Sequence, residues 1–225
     1  STLNRMALLY EATNDYNRAA VAYLGVLRSR KLQCGPDHVL VGETFFRLGK
    51  ALRHTRQYEK ALKSLKEALP IFVGQGAEVD DVKMVAEIMH EMALTNQDWG
   101  NFQDALRIFK QELSVRRKVG QPEYPFACRT LKCLGVAEYN LGNYNKALKY
   151  LVESLGIYQD RGDESVECGE VLFHAGCVFE KVDNIDRALE AFTESVRIFE
   201  DNEVEEENTS LREANVKLEE LKRTR

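Results

Sequence analysis

The side chains that could do acid–base, nucleophilic or metal chemistry are four histidines (His38, His54, His90, His174) and five cysteines (Cys34, Cys128, Cys133, Cys168, Cys177). A Ser/His/Asp or Cys/His enzyme needs a nucleophile beside a base that a third group holds in place. No order of residues in this chain matches such a context. His174 and Cys177, three apart, would share one face of a helix, but zinc asks for three or four ligands and no others accompany them. The glycine spacing of GVLRSRKLQCG (25–35) and GNYNKALK (142–149) lacks the GK[ST] ending of a phosphate loop. The sequence therefore reads as a non-catalytic protein without metal or cofactor.

A different chemistry is better supplied. Phe46, Arg47, Lys50, Arg53 and His54 form one group, and Arg129, Lys132, Val136 and Tyr139 another. Guanidinium forks beside an aromatic wall suit the carboxylates of an extended acidic peptide. Charges lining a concave wall also focus the field and speed encounter. These cations stand out because the whole chain is acidic, with 31 Lys and Arg against 36 Asp and Glu and a net charge of -5. A nucleic-acid protein would carry the opposite balance. No apolar run approaches the ~20 residues of a membrane helix, and no signal peptide opens the chain. The start on Ser1, directly in helical pattern, reads as a fragment of a longer protein. Five cysteines without a CxxC pair fit a reducing, cytoplasmic setting rather than a disulfide framework.

The elements that must position these groups announce themselves by repetition. NDYNRAAVAY (14–23), RQYEKALKSL (56–65), GNFQDALRIF (100–109), GNYNKALKYL (142–151) and DNIDRALEAF (183–192) are five versions of one decapeptide. Their alanines Ala19, Ala61, Ala105, Ala147 and Ala188 are 42, 44, 42 and 41 residues apart. Twelve residues before each stands a small residue: Ala7, Gly49, Ala93, Gly135, Gly176. Apolar residues recur at i, i+4 and i+8 from each alanine, as in Ala61-Leu65-Leu69, so each copy holds two amphipathic helices, A then B. Small residues at matching places on A and B let the two backbones approach.

The period predicts helices A over 2–14, 37–55, 80–98, 124–141 and 165–182. Helices B follow over 16–33, 57–74, 101–119, 143–160 and 184–200. Gly100, Gly142 and Asn184 are the turn residues, tolerating the left-handed conformation that ends a helix. Pro70 should kink the second helix B. Residues 208–224, with a capping box from Ser210 to Glu213 and an apolar face of Leu211, Ala214, Leu218 and Leu221, close the stack. The acidic stretch EDNEVEEE (200–207) before it reads as a solvated loop.

With that period in hand, TLNRMALLY (2–10), NDYNRAAVAYLGVL (14–27) and GPDHVLV (35–41) resemble the 42-residue tetratricopeptide repeat of kinesin light chains and nephrocystin-3-like proteins. Those repeats read T-L-N-N-L-A-L-L-Y, then G-x-Y-x-x-A, then L-G-x-D-H-P-D-V-A. The likeness in pattern runs over residues 1–200 and implies stacked helix hairpins with a peptide groove. The second asparagine is Arg5 here, and later copies carry Phe46-Arg47, His90-Glu91, Lys132-Cys133 and Phe173-His174 in its place. In kinesin light chains those asparagines help line the cargo groove, so the resemblance carries the architecture rather than that cargo code.

The fold expected is an all-α, right-handed α-solenoid of five tetratricopeptide-like hairpins (1–35, 36–79, 80–121, 122–162, 163–203) in a single domain, plus the capping helix. The function expected is a scaffold or adaptor holding an acidic peptide segment of a partner protein. Its groove would be lined by Asn4, Arg5, Phe46, Arg47, Lys50, Arg53, His54, His90, Arg129, Lys132, Val136, Tyr139, Phe173 and His174, all on helices A and turned from helices B. No nucleic acid or membrane is among the expected partners. The alternative is an assembly module that self-associates or docks a neighbouring domain through Leu3, Met6 and Tyr10 on the uncovered first helix.

Overall fold

Small residues at fixed offsets require helix pairs in close contact, and the computed structural model contains them. It describes residues 2–73, 79–118, 126–205 and 207–223, which form eleven α-helices and no strand. Their contacts divide the chain into two compact units, Ser1–Pro122 and Glu123–Arg225.

The first unit holds α1 (Thr2–Ala12), α2 (Tyr16–Cys34), α3 (Val39–His54), α4 (Tyr58–Val73), α5 (Val79–Asp98) and α6 (Phe102–Lys118). Helices α1 and α2, α3 and α4, and α5 and α6 pack as hairpins. In addition, α2 packs on α3, α4 on α5, and α3 on α5. The second unit holds α7 (Phe126–Asn140), α8 (Tyr144–Arg161), α9 (Val166–Lys181), α10 (Ile185–Asp201) and α11 (Thr209–Arg223). There α7–α8 and α9–α10 are hairpins, with α8 on α9, α10 on α11, and contacts of α9 with α7 and α11. Each unit thus repeats one scheme, in which a hairpin buries its apolar stripe against the next.

The close approach is as tight as the sequence requires. Ala19, Ala61, Ala105, Ala147 and Ala188 are all fully buried. A β-carbon on Gly49 would lie 2.6 Å from Leu65 Cγ, one on Gly135 2.7 Å from Leu151 Cγ, and one on Gly176 2.7 Å from the Phe192 ring. No real Cβ sits that close. Leu65, Leu151 and Phe192 are themselves fully buried, worth roughly 2–3 kcal/mol each in apolar transfer.

The expected helices agree with those observed to within two residues at their ends, where fraying and capping decide. Residues 74, 119, 124, 125 and 224 of the expected spans lie outside the described residues. In the A–B turns the left-handed residues are Asn14, Arg56, Gly100, Gly142 and Asp183. Asn184 is instead the N-cap of α10, its side chain accepting from Arg187 N–H. Arg56 takes the left-handed role without glycine or asparagine, because Arg56 and Gln57 N–H both bond back to the end of α3. Helix α4 runs through Pro70 to Val73. The cap of α11 is Asn208, whose Oδ1 accepts from Leu211 N–H, rather than the Ser210 box. Leu211, Ala214, Leu218 and Leu221 are buried as the pattern requires.

Candidate functional site

In the first unit the expected groove residues of α3 face carboxylates. Arg47 Nη1 donates to Glu11 Oε2 at 3.2 Å, Lys50 Nζ lies 4.0 Å from Glu11 Oε1, and buried Tyr23 donates its hydroxyl to the same carboxylate. Arg53 bridges two acids of α5: its Nε is 3.1 Å from Glu91 Oε2 and its Nη1 2.8 Å from Asp98 Oδ2. Burial opposes the Arg53 charge, but those carboxylates hold its pKa above the ordinary value. Phe46 is half-buried against the core with the Lys50 ammonium 5.7 Å from its ring centre. His54 stacks on Tyr16 at 4.1 Å. Burial, then the Arg53 charge, pushes its pKa down. Asn4 is half-buried and Arg5 exposed on α1.

In the second unit Lys132 of α7 pairs with Glu170 of α9, and Lys217 of α11 pairs with Glu180 of α9 at 2.9 Å. The Arg129 guanidinium lies 5.1 Å above the Phe126 ring. Tyr139 packs its ring 5.7 Å from that of Tyr144, and Val136 is half-buried. His174 is held at a pKa of about 4, by burial and then by the nearby Lys132 ammonium. It is a neutral imidazole at neutral pH.

Two expected groove residues are interior. His90 is 1 % exposed, with Nδ1 2.9 Å from Glu112 Oε2 and its ring against Phe109. Phe173 is 5 % exposed and packs on Phe192 at 6.0 Å. Both lie three residues before the small contact residue of their helix. Three steps of roughly 100° return to within about 60° of it, so the side chain turns toward helix B. Tyr10, expected on an open edge, packs instead against the first unit's core beneath the Arg18 guanidinium. Leu3 and Met6 are 44 % and 41 % exposed.

Sequence reasoning missed the acids. Glu11, Glu91, Asp98 and Glu170 stand on neighbouring helices A and pair with Arg47, Lys50, Arg53 and Lys132 of the expected groove. The two cationic groups expected in one groove also fall in different units.

Cys177 and Cys168 are pushed up to about 12 and about 11, mainly by burial. Both stay as thiols, and none of the five cysteines is in a disulfide. Among the described residues no three His, Cys, Asp or Glu side chains gather as metal ligands, and no helix is long and apolar enough to cross a membrane.

Paired helices, small residues at each crossing and helix-on-hairpin stacking define a tetratricopeptide-type protein. The chain belongs to the tetratricopeptide repeat family, whose model matches residues 1–72 and 126–201, more than half of it. It is similar to Protein KINESIN LIGHT CHAIN-RELATED 3 of Arabidopsis thaliana, 23% identical over 201 residues that take in 85% of this chain. The chain spans only 29% of that relative's length. Among solved structures it matches the nearly identical TPR-like repeats of a kinesin light chain from Podosopora anserina (TM-score 0.71, 15% identity, 91% of this chain and 96% of that one). It also matches a Rap protein complexed with competence and sporulation factor (TM-score 0.71, 16% identity, 96% of this chain and 62% of that one). At these identities the structural likenesses show the fold. A fold of this family is a scaffold for protein–protein contacts.

Proposed function

We propose that the chain is a non-catalytic recognition module that holds an extended segment of a partner protein on its helix-A faces. The observation that carries this reading is the arrangement of half-buried polar and aromatic side chains on successive helices A. Phe46, Arg47 and Lys50 supply them in the first unit, and Lys132, Val136, Tyr139 and His174 in the second. Cross-helix ion pairs hold several of them in place, which favours a preformed surface over one that rearranges. The Rap protein, of like fold, is complexed with a factor on its own chain, which supports the same use here. Thiols outside any disulfide suit a cytoplasmic setting.

An acidic preference on this face works by exchange. A partner carboxylate reaches Arg47 or Lys132 by displacing Glu11 or Glu170, so its gain is the difference between two ion pairs. Such differences are ~1 kcal/mol or less at exposed sites, and shape and apolar contacts then dominate the choice of segment.

The test is affinity capture from a cell lysate with this chain as bait, set beside an Arg47→Glu, Lys50→Glu, Arg129→Glu variant whose helicity is checked by circular dichroism. Partners that bind the native chain and vanish with the folded variant support the helix-A reading. Partners that persist unchanged refute it.

A second reading rests on α1. Leu3, Met6 and Leu9 are exposed, whereas their counterparts in α3 (Phe45, Leu48, Ala51) are buried. The bare stripe favours self-association or the docking of a neighbouring domain. Light scattering over a concentration series tests it: a dimer lost in Met6→Glu supports assembly, and a strict monomer counts against self-association.

A further inference from the structure

The cations with no carboxylate partner lie elsewhere. Residues 1–73 carry twelve Lys and Arg against six Asp and Glu, while residues 123–225 carry thirteen against twenty-two. The basic surplus is concentrated in the first two hairpins. On α3 the cations face Glu11, Glu91 and Asp98. On the outer sides of α2 and α4, Arg28, Lys31, Lys63 and Lys66 have no carboxylate within ion-pair distance among the described residues. Lys31 rests its ammonium 4.6 Å above the Phe45 ring.

The same surface exposes aliphatic carbon. Val21, Leu24 and Leu32 are 71 %, 54 % and 82 % exposed. With Arg28 they are spaced three and four apart along α2, so they share one face. The places equivalent to Val21 in α4, α6, α8 and α10 are Lys63, Arg107, Lys149 and Glu190. A solvated helix B carries charge there, and α2 does not. The ends of α2 and α4 meet at a cleft of about 360 Å³ lined by Lys31, Phe45, Glu67, Pro70 and Ile71 together with the Pro36–Asp37 turn. It is large enough to receive a side chain.

We propose that the outer face of α2 and α4 docks an acidic, aliphatic-anchored helical segment of a partner protein. Its carboxylates meet Arg28, Lys31, Lys63 and Lys66. Its aliphatic side chains cover Val21, Leu24 and Leu32, and one enters the cleft. Charge complementarity selects the sign of the partner, and a cleft beside an apolar stripe suits a helix face. A bilayer would meet the cations and the stripe but has no side chain for the cleft.

The test uses fluorescence anisotropy with labelled peptides of roughly 20 residues in a Leu/Glu heptad pattern, a Leu/Lys pattern and a Gly/Glu pattern. Native chain should bind the Leu/Glu peptide saturably and the Gly/Glu peptide at least about tenfold more weakly, and any binding of the Leu/Lys peptide, to the acidic residues 123–225, should not weaken in Lys63→Glu with Lys66→Glu. A Lys63→Glu, Lys66→Glu variant should lose roughly tenfold in affinity, as should Val21→Glu with Leu24→Glu. Arg47→Glu with Lys50→Glu should leave binding unchanged, which separates this face from the helix-A face. Each variant is first shown to be folded by circular dichroism.

Three outcomes overturn the proposal: Leu/Lys binding that Lys63→Glu with Lys66→Glu weakens as much as Leu/Glu binding, indifference of Leu/Glu binding to the outer-face variants, or no saturable binding of the Leu/Glu peptide. Two controls address rival occupants. Sedimentation with vesicles of phosphatidylcholine and phosphatidylserine should leave the chain in solution, and sedimentation velocity should show no salt-sensitive self-association. Binding in either control, abolished by Lys63→Glu with Lys66→Glu, would assign the face to lipid or to a second copy and refute a protein partner.

Discussion

Three residues before the small contact residue of helix A, α5 carries His90 and α9 carries Phe173. Each packs its ring on the phenylalanine of the facing helix B, His90 on Phe109 at 5.4 Å and Phe173 on Phe192 at 6.0 Å. Further along, the two hairpins part. Where α10 has Ser195 and Phe199, α6 has Glu112 and Arg116. Ser195 donates to Gly169 O at 2.7 Å, and Phe199 packs where a side chain on Gly169 would sit. In α6, Glu112 accepts from Arg116 Nε at 2.8 Å and meets His90, while Arg116 Nη2 reaches Glu87 at 2.6 Å.

One frame is therefore closed in two ways, by rings and a hydroxyl or by a shared carboxylate. The ionic hairpin is the one that falls outside the residues matched by the family model. Shape at the crossing is what the frame demands, and the filling is free so long as the buried charges are paired, even though His90 Nε2 is buried without a hydrogen-bond partner among the described residues. Burial works against the Arg116 charge, but the hydrogen bonds it donates to Glu112 and Glu87 more than offset it and raise its pKa.

The most damaging test of this contrast is Glu112→Gln. It leaves Arg116 and His90 buried beside a neutral amide, and a broken buried pair costs roughly 3–5 kcal/mol. Urea unfolding should show that loss, and a loss under about 1 kcal/mol would mean the carboxylate is dispensable. In the apolar hairpin the sensitive place is backbone approach. Gly176→Ala forces a methyl against the Phe192 ring, at a cost of about 2 kcal/mol, although Ala93 occupies the same place in α5 without difficulty. Thermal unfolding of that variant reads it directly.

Ser195→Ala strips the hydroxyl from Gly169 O and should cost about 1–2 kcal/mol with no change in helicity. The smallest effect is pH dependence in the second unit. His174 is depressed to about 4, against about 6.5 for an unfolded chain. Between those values the unfolded state binds more protons, so stability falls as pH drops from about 6.5 toward 4. The fall should be ~1 kcal/mol for a half-buried ring, and His174→Gln should flatten that part of the Tm profile.

Much of this was legible in sequence because it is local. The alanine and small-residue register located ten helices and the cap to within a turn, since helical periodicity acts over adjacent residues. The face of a helix was harder. His90 and Phe173 were assigned outward, yet an offset of three sits close enough to the contact residue for the side chain to swing inward. The ion pairs could not be read at all. Arg53 meets Glu91 and Asp98, 38 and 45 residues away, and nothing in the neighbourhood of Arg53 announces them. The same blindness made α3 look like a cationic surface when its charges were already answered, and it left Arg28, Lys63 and Lys66 unremarked because an unpaired cation looks like any other in sequence.

The most direct measurement is a transplant. His90→Phe, Glu112→Ser and Arg116→Phe, with Ala86→Gly to admit the new ring as Gly169 admits Phe199, together place the filling of α9–α10 into α5–α6. If the buried cluster is core and recognition belongs to exposed faces, the variant unfolds at the same or a higher urea midpoint, since apolar replacement of a buried ionic group is often neutral or stabilising by ~1–4 kcal/mol. It also captures the same proteins from lysate as the native chain. A variant that stays folded but loses those partners would contradict the account and move the functional site into the third hairpin.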